Sequence, residues 1–158
     1  MVSFCIREVS PCFAQEEDID SWMKMVEVVK DEFPGLETLE ELENYKGVVV
    51  KNINRHTAIC VKDKNHIIGA LLFSYNSNCL SWMAVHPNYR RKGVGCALMT
   101  KMIELFPNEA NISVTTFREG DVKGVAPRKL YKKFNFLEGE LVEEFNYPNQ
   151  VLTLKIEK

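Results

Sequence analysis

The chain has 158 residues, which suits one domain with a single substantial hydrophobic core. Hydrophobic residues make up 46% and charged residues 27%, the proportions of an ordinary globular protein. Twenty Lys and Arg residues against twenty-two Asp and Glu residues give a formal charge of −2, which argues against nucleic acid or an anionic membrane as the main partner. We therefore expect one domain over residues 1–158, with no nucleic-acid or membrane partner.

The cysteines and histidines favour neither a disulfide framework nor a metal site. Five cysteines are scattered without C-x-x-C spacing, an odd number that fits a reducing compartment. The three histidines lie far apart, with no partner at metal-ligand spacing. The N-terminal residues lack a basic stretch followed by a long apolar run, and no apolar stretch has the length of a membrane span. We predict a cytoplasmic protein without a metal.

The N-terminal part predicts a strand followed by two helices. Residues 4–9 alternate in polarity as a short strand does. Either Asp18 or Asp20 is placed to cap a first helix, which should end near residues 33–35. Thr38 and Glu41 have the spacing of a capping box for a second helix, which should extend to about Ile53.

The remaining elements predict an α+β fold with a mixed sheet. Three strands should form an antiparallel meander, at residues 57–62, 67–74 and 79–85. A helix over 93–106 then leads to a strand over 112–117, which should run parallel to the third meander strand because a helical crossover joins them. A short helix over 126–134 precedes two final strands at 137–145 and 151–156, with their turn at 147–149.

The most informative stretch joins a strand to an amphipathic helix through Arg90-Arg91-Lys92-Gly93-Val94-Gly95. The first amides of a helix have no intrahelical partner, and the helix dipole makes that end positive. No Ser, Thr or Asp stands there to cap the helix, and the glycines leave the backbone open to a bulky anion. A lone Gly-x-Gly is often only a turn, but the flanking strand and helix favour a phosphate or pyrophosphate site. The residues alone predict no more than a phosphate-bearing ligand.

Two motifs resemble those of the GNAT superfamily of N-acetyltransferases. Residues 83–95 are similar to the acetyl-CoA motif, [Q/R]-x-x-G-x-[G/A] after a strand that ends in V-x-P, with a full match at Arg90, Gly93 and Gly95. Residues 126–136 are similar to the family's A-x-x-L-Y-x-x-x-G-F. The order of elements also agrees along nearly the whole chain, so the sequence resembles a bacterial-type member of this superfamily.

The resemblance implies both a fold and a reaction. The fold is a three-layer α/β/α arrangement, whose mostly antiparallel sheet splays between the fourth and fifth strands. The reaction is the transfer of an acetyl group from acetyl-CoA to a primary amine, on a small molecule or a peptide, by direct attack on the thioester. A homodimer through the C-terminal strands occurs in relatives and is a further expectation.

The resemblance also implies which residues hold acetyl-CoA. The backbone of Met83, Ala84 and Val85 should bind the pantetheine arm beside the strand, and the amides after Arg90 should bind the pyrophosphate. The implied set is Met83, Ala84, Val85, Arg90, Arg91, Lys92, Gly93, Val94, Gly95, Cys96 and Tyr131. Because a thiol at a helix N-terminus can have a lowered pKa, an acyl-Cys96 intermediate is an alternative to the implied direct transfer.

The catalytic residues implied are Tyr131 as the acid and a carboxylate as the base. A phenol stays protonated at neutral pH and can donate to the departing thiolate, although Tyr131 would also fit simple packing beside Leu130 and Phe134. Many relatives carry Glu in the strand before the anion motif, where this chain has Leu80, Ser81 and Trp82. Glu119 is therefore the predicted base, with Asp121, Glu32 and Glu37 as alternatives and a solvated surface role open for each.

Two other functions and several acceptors stay open. The missing strand carboxylate would suit a non-catalytic acyl-CoA-binding sensor or interaction module, and the anion turn alone would suit a generic phosphate binder. The acidic helices and the Glu-rich residues 138–144 weakly favour a cationic acceptor such as a polyamine, an aminoglycoside or a lysine-like group. Peptide N-termini are equally compatible.

Overall fold

The computed structural model describes residues 9–157, which form seven strands and four α-helices. The strands are β1 Cys12–Phe13, β2 Ala58–Asp63, β3 His66–Ser74, β4 Cys79–Val85, β5 Asn111–Phe117, β6 Leu137–Glu144 and β7 Tyr147–Lys155. The helices are α1 Ile19–Val29, α2 Leu39–Arg55, α3 Val94–Leu105 and α4 Val125–Lys133. Of the strand predicted over residues 4–9, all but Val9 lies outside the described residues, and Val9 belongs to no strand.

The strands form one sheet in the order β1-β2-β3-β4-β5-β7-β6. Every pair is antiparallel except β4 with β5, which confirms the mixed α+β sheet and the parallel crossover. Buried residues of α1 and α2, such as Trp22 and Val49, pack with one face of the sheet. Residues of α3 and α4, such as Leu98 and Tyr131, pack with the other face. The predicted three layers are confirmed.

The two N-terminal helices begin differently from one another. At α2 the capping box is present, because the Thr38 hydroxyl accepts from the Glu41 amide at 3.0 Å and the Glu41 carboxylate accepts from the Thr38 amide at 3.0 Å. At α1, Asp18 takes the predicted N-cap position, but its side chain accepts no hydrogen bond from the helix amides. The Asp18 carboxylate instead accepts from the Gln15 amide at 2.7 Å and pairs with Lys62 at 2.8 Å.

The turn of the C-terminal hairpin also lies elsewhere than predicted. Phe145 and Asn146 form it, with φ of 54° and 60°, whereas residues 147–149 already belong to β7. Two left-handed residues give a tight turn whose twist matches that of the strands, so pairing starts at once with Glu144 opposite Tyr147. Pro148 is accommodated because β5 pairs with β7 only from Asn149 onward.

A bulge explains how β4 leaves β5. Leu72 of β3 faces Trp82 and Phe73 faces Leu80, so Ser81 is an extra residue on β4. Such an extra residue bends its strand. On the other side, β4 pairs with β5 only at Cys79 with Ser113 and at Leu80 with Val114. The predicted splay therefore starts at the bulge, and the β5-facing edge of β4 has no strand partner beyond it.

A close approach at Gly69 sets the start of α3 on the sheet. A Cβ at this position of β3 would lie 2.4 Å from a methyl carbon of Val94, the first residue of α3. Only the absence of a side chain at Gly69 lets Val94, which is 2% exposed, reach the core here. The N-terminus of α3 is thereby held beside the end of β4.

Candidate active site

The splay opens into a cavity of about 1500 Å³. Its walls are the diverging ends of β4 and β5, the turn before α3, the start of α4, the segment from α1 into α2, and the β6–β7 turn. Most of the sequence-predicted residues line it, namely Met83, Ala84, Val85, Arg90, Arg91, Gly93, Val94, Gly95, Cys96 and Tyr131. Lys92 and Glu119 are not among the lining residues.

The turn before α3 presents free backbone donors to this cavity. Gly93 takes the N-cap position with φ of 87° and provides no side-chain cap, and Arg91 is also left-handed at φ of 63°. The first amide to bond back is that of Ala97, which donates to the Gly93 carbonyl at 3.0 Å. The amides of residues 94–96 therefore have no acceptor within the helix and form a positive N-terminal end.

Contacts made by its own side chains hold this turn in place. The Tyr89 hydroxyl donates to Asp63 at the end of β2 at 2.8 Å, and His86 Nδ1 accepts from the Asn88 amide at 3.1 Å. Lys92 Nζ lies 5.6 Å from the centre of the Tyr89 ring and does not line the cavity. The turn is thus anchored to the sheet through β2.

Arg90 matches the motif, but its guanidinium contacts protein groups. Its Nε donates to the Val85 carbonyl at 3.1 Å, and its Nη2 contacts Glu32 Oε1 at 2.8 Å. The side chain therefore joins the end of β4 to the segment after α1. Of the motif's cations, Arg91 lines the cavity and has no hydrogen bond or ion pair to another residue of the described range 9–157.

Gly95 serves packing as well as access. A Cβ there would lie 3.2 Å from a methyl carbon of Leu130 on α4, so the glycine lets α4 approach the start of α3. One turn of α4 further on, Lys133 Nζ lies 3.4 Å from Cys96 Sγ. The close approach brings the residue after Leu130, Tyr131, to the cavity wall.

Tyr131 is buried but faces the cavity. It is 5% exposed, and its ring centre lies 5.7 Å from that of Phe136. Its hydroxyl has no hydrogen-bond partner among residues 9–157. Burial raises the pKa of this phenol well above its ordinary value, so it stays protonated at neutral pH.

The carboxylates predicted as bases lie in different places. Glu119 is exposed in the turn after β5, and Asp121 binds the Tyr147 hydroxyl at 2.6 Å, which lowers the pKa of the Asp121 carboxyl. Neither these two nor Glu37 lines the cavity, whereas Glu32 does. The other acidic residues in its wall are Glu41, which caps α2, and Glu144, which has no hydrogen bond or ion pair to a described residue.

An aromatic cluster that the sequence did not reveal forms part of the same wall. The ring centres of Phe33 and Tyr45 each lie 5.1 Å from that of Trp82, and Trp22 stacks behind Trp82 at 6.4 Å. Trp22 Nε1 donates to the Tyr45 hydroxyl at 2.9 Å, and burial raises the pKa of that hydroxyl. Because these residues come from α1, the segment after it, α2 and β4, no local spacing indicated that they meet.

Two classes of site were not found in the part of the chain described. No group of three or more His, Cys, Asp or Glu side chains among residues 9–157 is arranged to hold a metal ion. Within the same residues, no helix combines the length and the apolar character that crossing a membrane requires.

Comparison with known proteins agrees with this geometry. The sequence profile of the acetyltransferase (GNAT) domain matches residues 54–138, just over half of the chain and the part that contains both motifs. An uncapped helix N-terminus beside a splayed parallel pair is the arrangement that the resemblance implied. The chain belongs to the GNAT acetyltransferase family, a family of acyl-transfer enzymes.

Several solved structures share the fold. A GNAT-family acetyltransferase from Bacillus cereus is 21% identical, with a TM-score of 0.73 over 95% of this chain and 99% of that one. One from Streptococcus agalactiae is 13% identical, with a TM-score of 0.74 over 95% and 96% of the two chains. An N-acetyltransferase from Staphylococcus aureus is 16% identical, with a TM-score of 0.69 over 91% and 99%. No curated protein sequence matches the chain.

Proposed function

We propose that the protein transfers an acetyl group from acetyl-CoA to a primary amine, without an acyl-enzyme intermediate. The observation that carries this proposal is the separation of β4 from β5 after the Leu80–Val114 pair. The gap between the strands lies between the uncapped start of α3 and the buried phenol of Tyr131. A thioester and an amine can meet there from opposite sides of the sheet.

The cavity wall fits the chemical parts of acetyl-CoA. The amides of residues 94–96, with Arg91, Lys129 and Lys133 in the same wall, suit a pyrophosphate. The unpaired edge of β4 at Met83 to Val85 suits the amide groups of a pantetheine arm, which would lie beside it as an added strand does. When bound, acetyl-CoA supplies an acyl group activated as a thioester.

Protein groups would handle the protons of the transfer. Glu144 is the lining carboxylate that has no partner within the part of the chain described, and we assign it the role of accepting the ammonium proton, directly or through water. The amine nitrogen then forms a bond to the carbonyl carbon, and the carbon–sulfur bond breaks. Tyr131 donates its proton to the leaving sulfur and is reprotonated by the proton that the nitrogen loses as the amide forms. The products are the amide, CoA thiol and one proton.

This assignment changes the predicted base. Glu119 was the predicted carboxylate, but its exposed position outside the cavity does not support direct proton transfer. Glu32 and Glu41 line the cavity, yet one pairs with Arg90 and the other caps α2. Cys96 also lines the cavity, with Lys133 Nζ 3.4 Å from its Sγ, but direct attack of the amine on the thioester needs no thiol nucleophile.

A binding module without turnover is the second candidate. The observation that favours it is the absence of a carboxylate on β4 beside the splay, where the bulge residue is Ser81. Such a module would use the same cavity walls to bind acyl-CoA and would release no CoA.

One assay separates the two functions. CoA thiol release from acetyl-CoA is measured with a panel of primary amines, for the wild type and for Tyr131→Phe, and acetyl-CoA binding is measured as a rise in melting temperature. An enzyme releases CoA with at least one amine and loses most of this activity in Tyr131→Phe while still binding acetyl-CoA. Binding without release from any amine would instead establish the module.

The C-terminal edge of the sheet supports the proposed homodimer. β6 is the edge strand, and its Leu137 and Leu141 are 74% and 60% exposed. Apolar side chains on an open strand edge favour pairing with a second chain. Sedimentation should show a dimer that Leu141→Lys dissociates, whereas a wild-type monomer at micromolar concentration would contradict it.

A further inference from the structure

The acceptor side of the cavity differs chemically from the donor side. The lining residues from the α1–α2 segment, α2 and the β6–β7 hairpin include three glutamates and no Lys or Arg. All five lining cations come from the turn before α3, the loop after β5 or α4, namely Arg90, Arg91, Lys123, Lys129 and Lys133. An anionic donor at one end and a positively charged amine at the other are therefore complementary to the wall.

On the acceptor side, only one of the three described carboxylates is free to pair with an ammonium group of a ligand. Glu32 is neutralised by Arg90, and Glu41 is engaged by the amides at the start of α2 at 2.8 and 3.0 Å. Only Glu144 remains without a protein partner on this side, within the residues described. A ligand with several ammonium groups would leave charges against apolar surface, where an unpaired charge is costly.

The rest of this wall is apolar and largely aromatic. Trp82 contacts both Phe33 and Tyr45, with ring centres 5.1 Å apart in each pair, and all three residues line the cavity. Leu36 and Val48 extend the same surface. A surface of this kind binds the apolar body of a ligand through burial and ring packing.

Phe145 closes this wall from the opposite side. Its ring lies against Gly35, where a Cβ would be 3.1 Å from two ring carbons, so it bridges the β6–β7 turn and the α1–α2 segment. It is nevertheless 68% exposed and has φ of 54°, in a turn position that favours Asn, Asp or Gly. An aromatic ring held exposed at an unfavourable backbone position beside a cavity indicates a role in binding.

We propose that the acceptor is a monoamine whose nitrogen is attached by a short linker to an aromatic or similarly bulky apolar group. The group packs between Phe145 and the Phe33–Tyr45–Trp82 surface, with the amine directed to the splay. This inference rests on the proposed acetyl transfer to an amine and narrows it, since the acidic surface residues alone had favoured a polyamine or aminoglycoside.

The test compares 2-phenylethylamine with propylamine and spermidine. Burying a phenyl group should raise kcat/KM for 2-phenylethylamine over propylamine by at least about tenfold, and spermidine should be no better than propylamine. Phe145→Ala should remove most of this preference without changing KM for acetyl-CoA. The control Leu39→Ala truncates an 83% exposed apolar side chain at the start of α2 that does not line the cavity, and it should leave the preference intact.

A binding measurement keeps this inference separate from the proposed function. Each amine is titrated by calorimetry into protein saturated with CoA, which cannot turn over. Tighter binding of 2-phenylethylamine than of the other amines, weakened by Phe145→Ala, would support the acceptor site. If no amine released CoA in the activity assay, that result would refute acetyl transfer but not the acceptor site. Acetylation of spermidine or propylamine as efficient as that of 2-phenylethylamine would overturn this inference and leave acetyl transfer standing.

Discussion

Arg90 contacts Glu32 across the mouth of the cavity, with Nη2 and Oε1 2.8 Å apart. The two residues are 58 positions apart in the chain, and the same guanidinium also binds the Val85 carbonyl at 3.1 Å. Arg90, which the family motif assigns to anion binding, thus connects the turn before α3 on the donor side to the segment after α1 on the acceptor side. The contact makes the position of one side depend on the other.

Breaking this contact should affect ligand binding more than stability. Both side chains are about two-fifths exposed, so the pair stabilises the fold by no more than about 1 kcal/mol. We expect Arg90→Met to raise KM for acetyl-CoA several-fold, because the turn loses two of its fixed contacts. Glu32→Gln leaves the hydrogen bond from Arg90 to the Val85 carbonyl intact and should raise KM for acetyl-CoA less. Equal KM values in wild type and both variants, measured by thiol release, would show that the contact does not position the turn.

Gly69→Ala tests how the start of α3 is placed. The new Cβ would come 2.4 Å from Val94, so the helix must shift or the strand must bend. Overpacking of this kind costs about 1–3 kcal/mol, and the shifted amides should also weaken acetyl-CoA binding. Urea denaturation and calorimetry measure the two effects.

Gly47→Ala is the matched control for that variant. Nothing lies within 4 Å of a Cβ at this position, in the interior of α2. Alanine there should stabilise the protein by about 0.5–1 kcal/mol and leave acetyl-CoA binding unchanged. If both variants changed binding alike, the Gly69–Val94 contact would not be the cause.

Tyr131→Phe should lower kcat with little change in KM for acetyl-CoA. The variant removes one hydroxyl that bonds no described residue, so the fold loses little, whereas the leaving sulfur loses its proton donor. Loss of general acid catalysis typically costs about 10² to 10⁴ in rate. Thiol release at saturating amine measures kcat, and a variant within twofold of wild type would exclude Tyr131 as the acid.

The buried phenols should also make stability fall at alkaline pH. Burial raises the pKa of Tyr131 and Tyr45 in the folded protein, whereas a tyrosine in the unfolded chain has a pKa of about 10. Their contribution to stability is complete below that value and is lost as pH rises through it, because the unfolded state then releases protons that the folded state keeps. Urea midpoints between about pH 8 and 11 should fall less steeply in Tyr131→Phe.

The assignment of the base is tested by two carboxylates, one at the end of β6 and one in the turn after β5. Glu144 lines the cavity and Glu119 does not. Glu144→Gln should lower kcat/KM at neutral pH, because the proton acceptor is lost. Glu119→Gln should reproduce the wild-type kcat/KM. The reverse result would return the role of base to Glu119.

The sequence predicted most residues of the donor-side cavity wall because their determinants are local. The anion turn, the end of β4 and the start of α4 are each short motifs, and the splay follows from a family resemblance. Tyr131 was found in the same way. The parallel pairing of β5 followed from its helical crossover, which chain chirality restricts.

The acceptor side of the cavity could not be predicted from local sequence motifs. Phe33, Tyr45, Trp82 and Phe145 lie on four separate elements and meet only in the folded chain. The turn at Phe145 and Asn146 was missed because Pro148 is the stronger local turn signal, whereas a left-handed Phe is uncommon. Arg90 was assigned to the anion because nothing in the sequence places Glu32 beside it.

The bulge at Ser81 shifts the alternation of β4 by one residue. Leu80 and Trp82 are two positions apart, yet they pair with adjacent residues of β3, Phe73 and Leu72, so their side chains face opposite sides of the sheet. Deleting Ser81 would therefore leave Trp82 opposite Leu72 and in the aromatic wall, and would remove only the bend that turns β4 away from β5. Among homologues, an alignment gap at this position would be a sign of a narrower opening between the two strands rather than of a different aromatic wall.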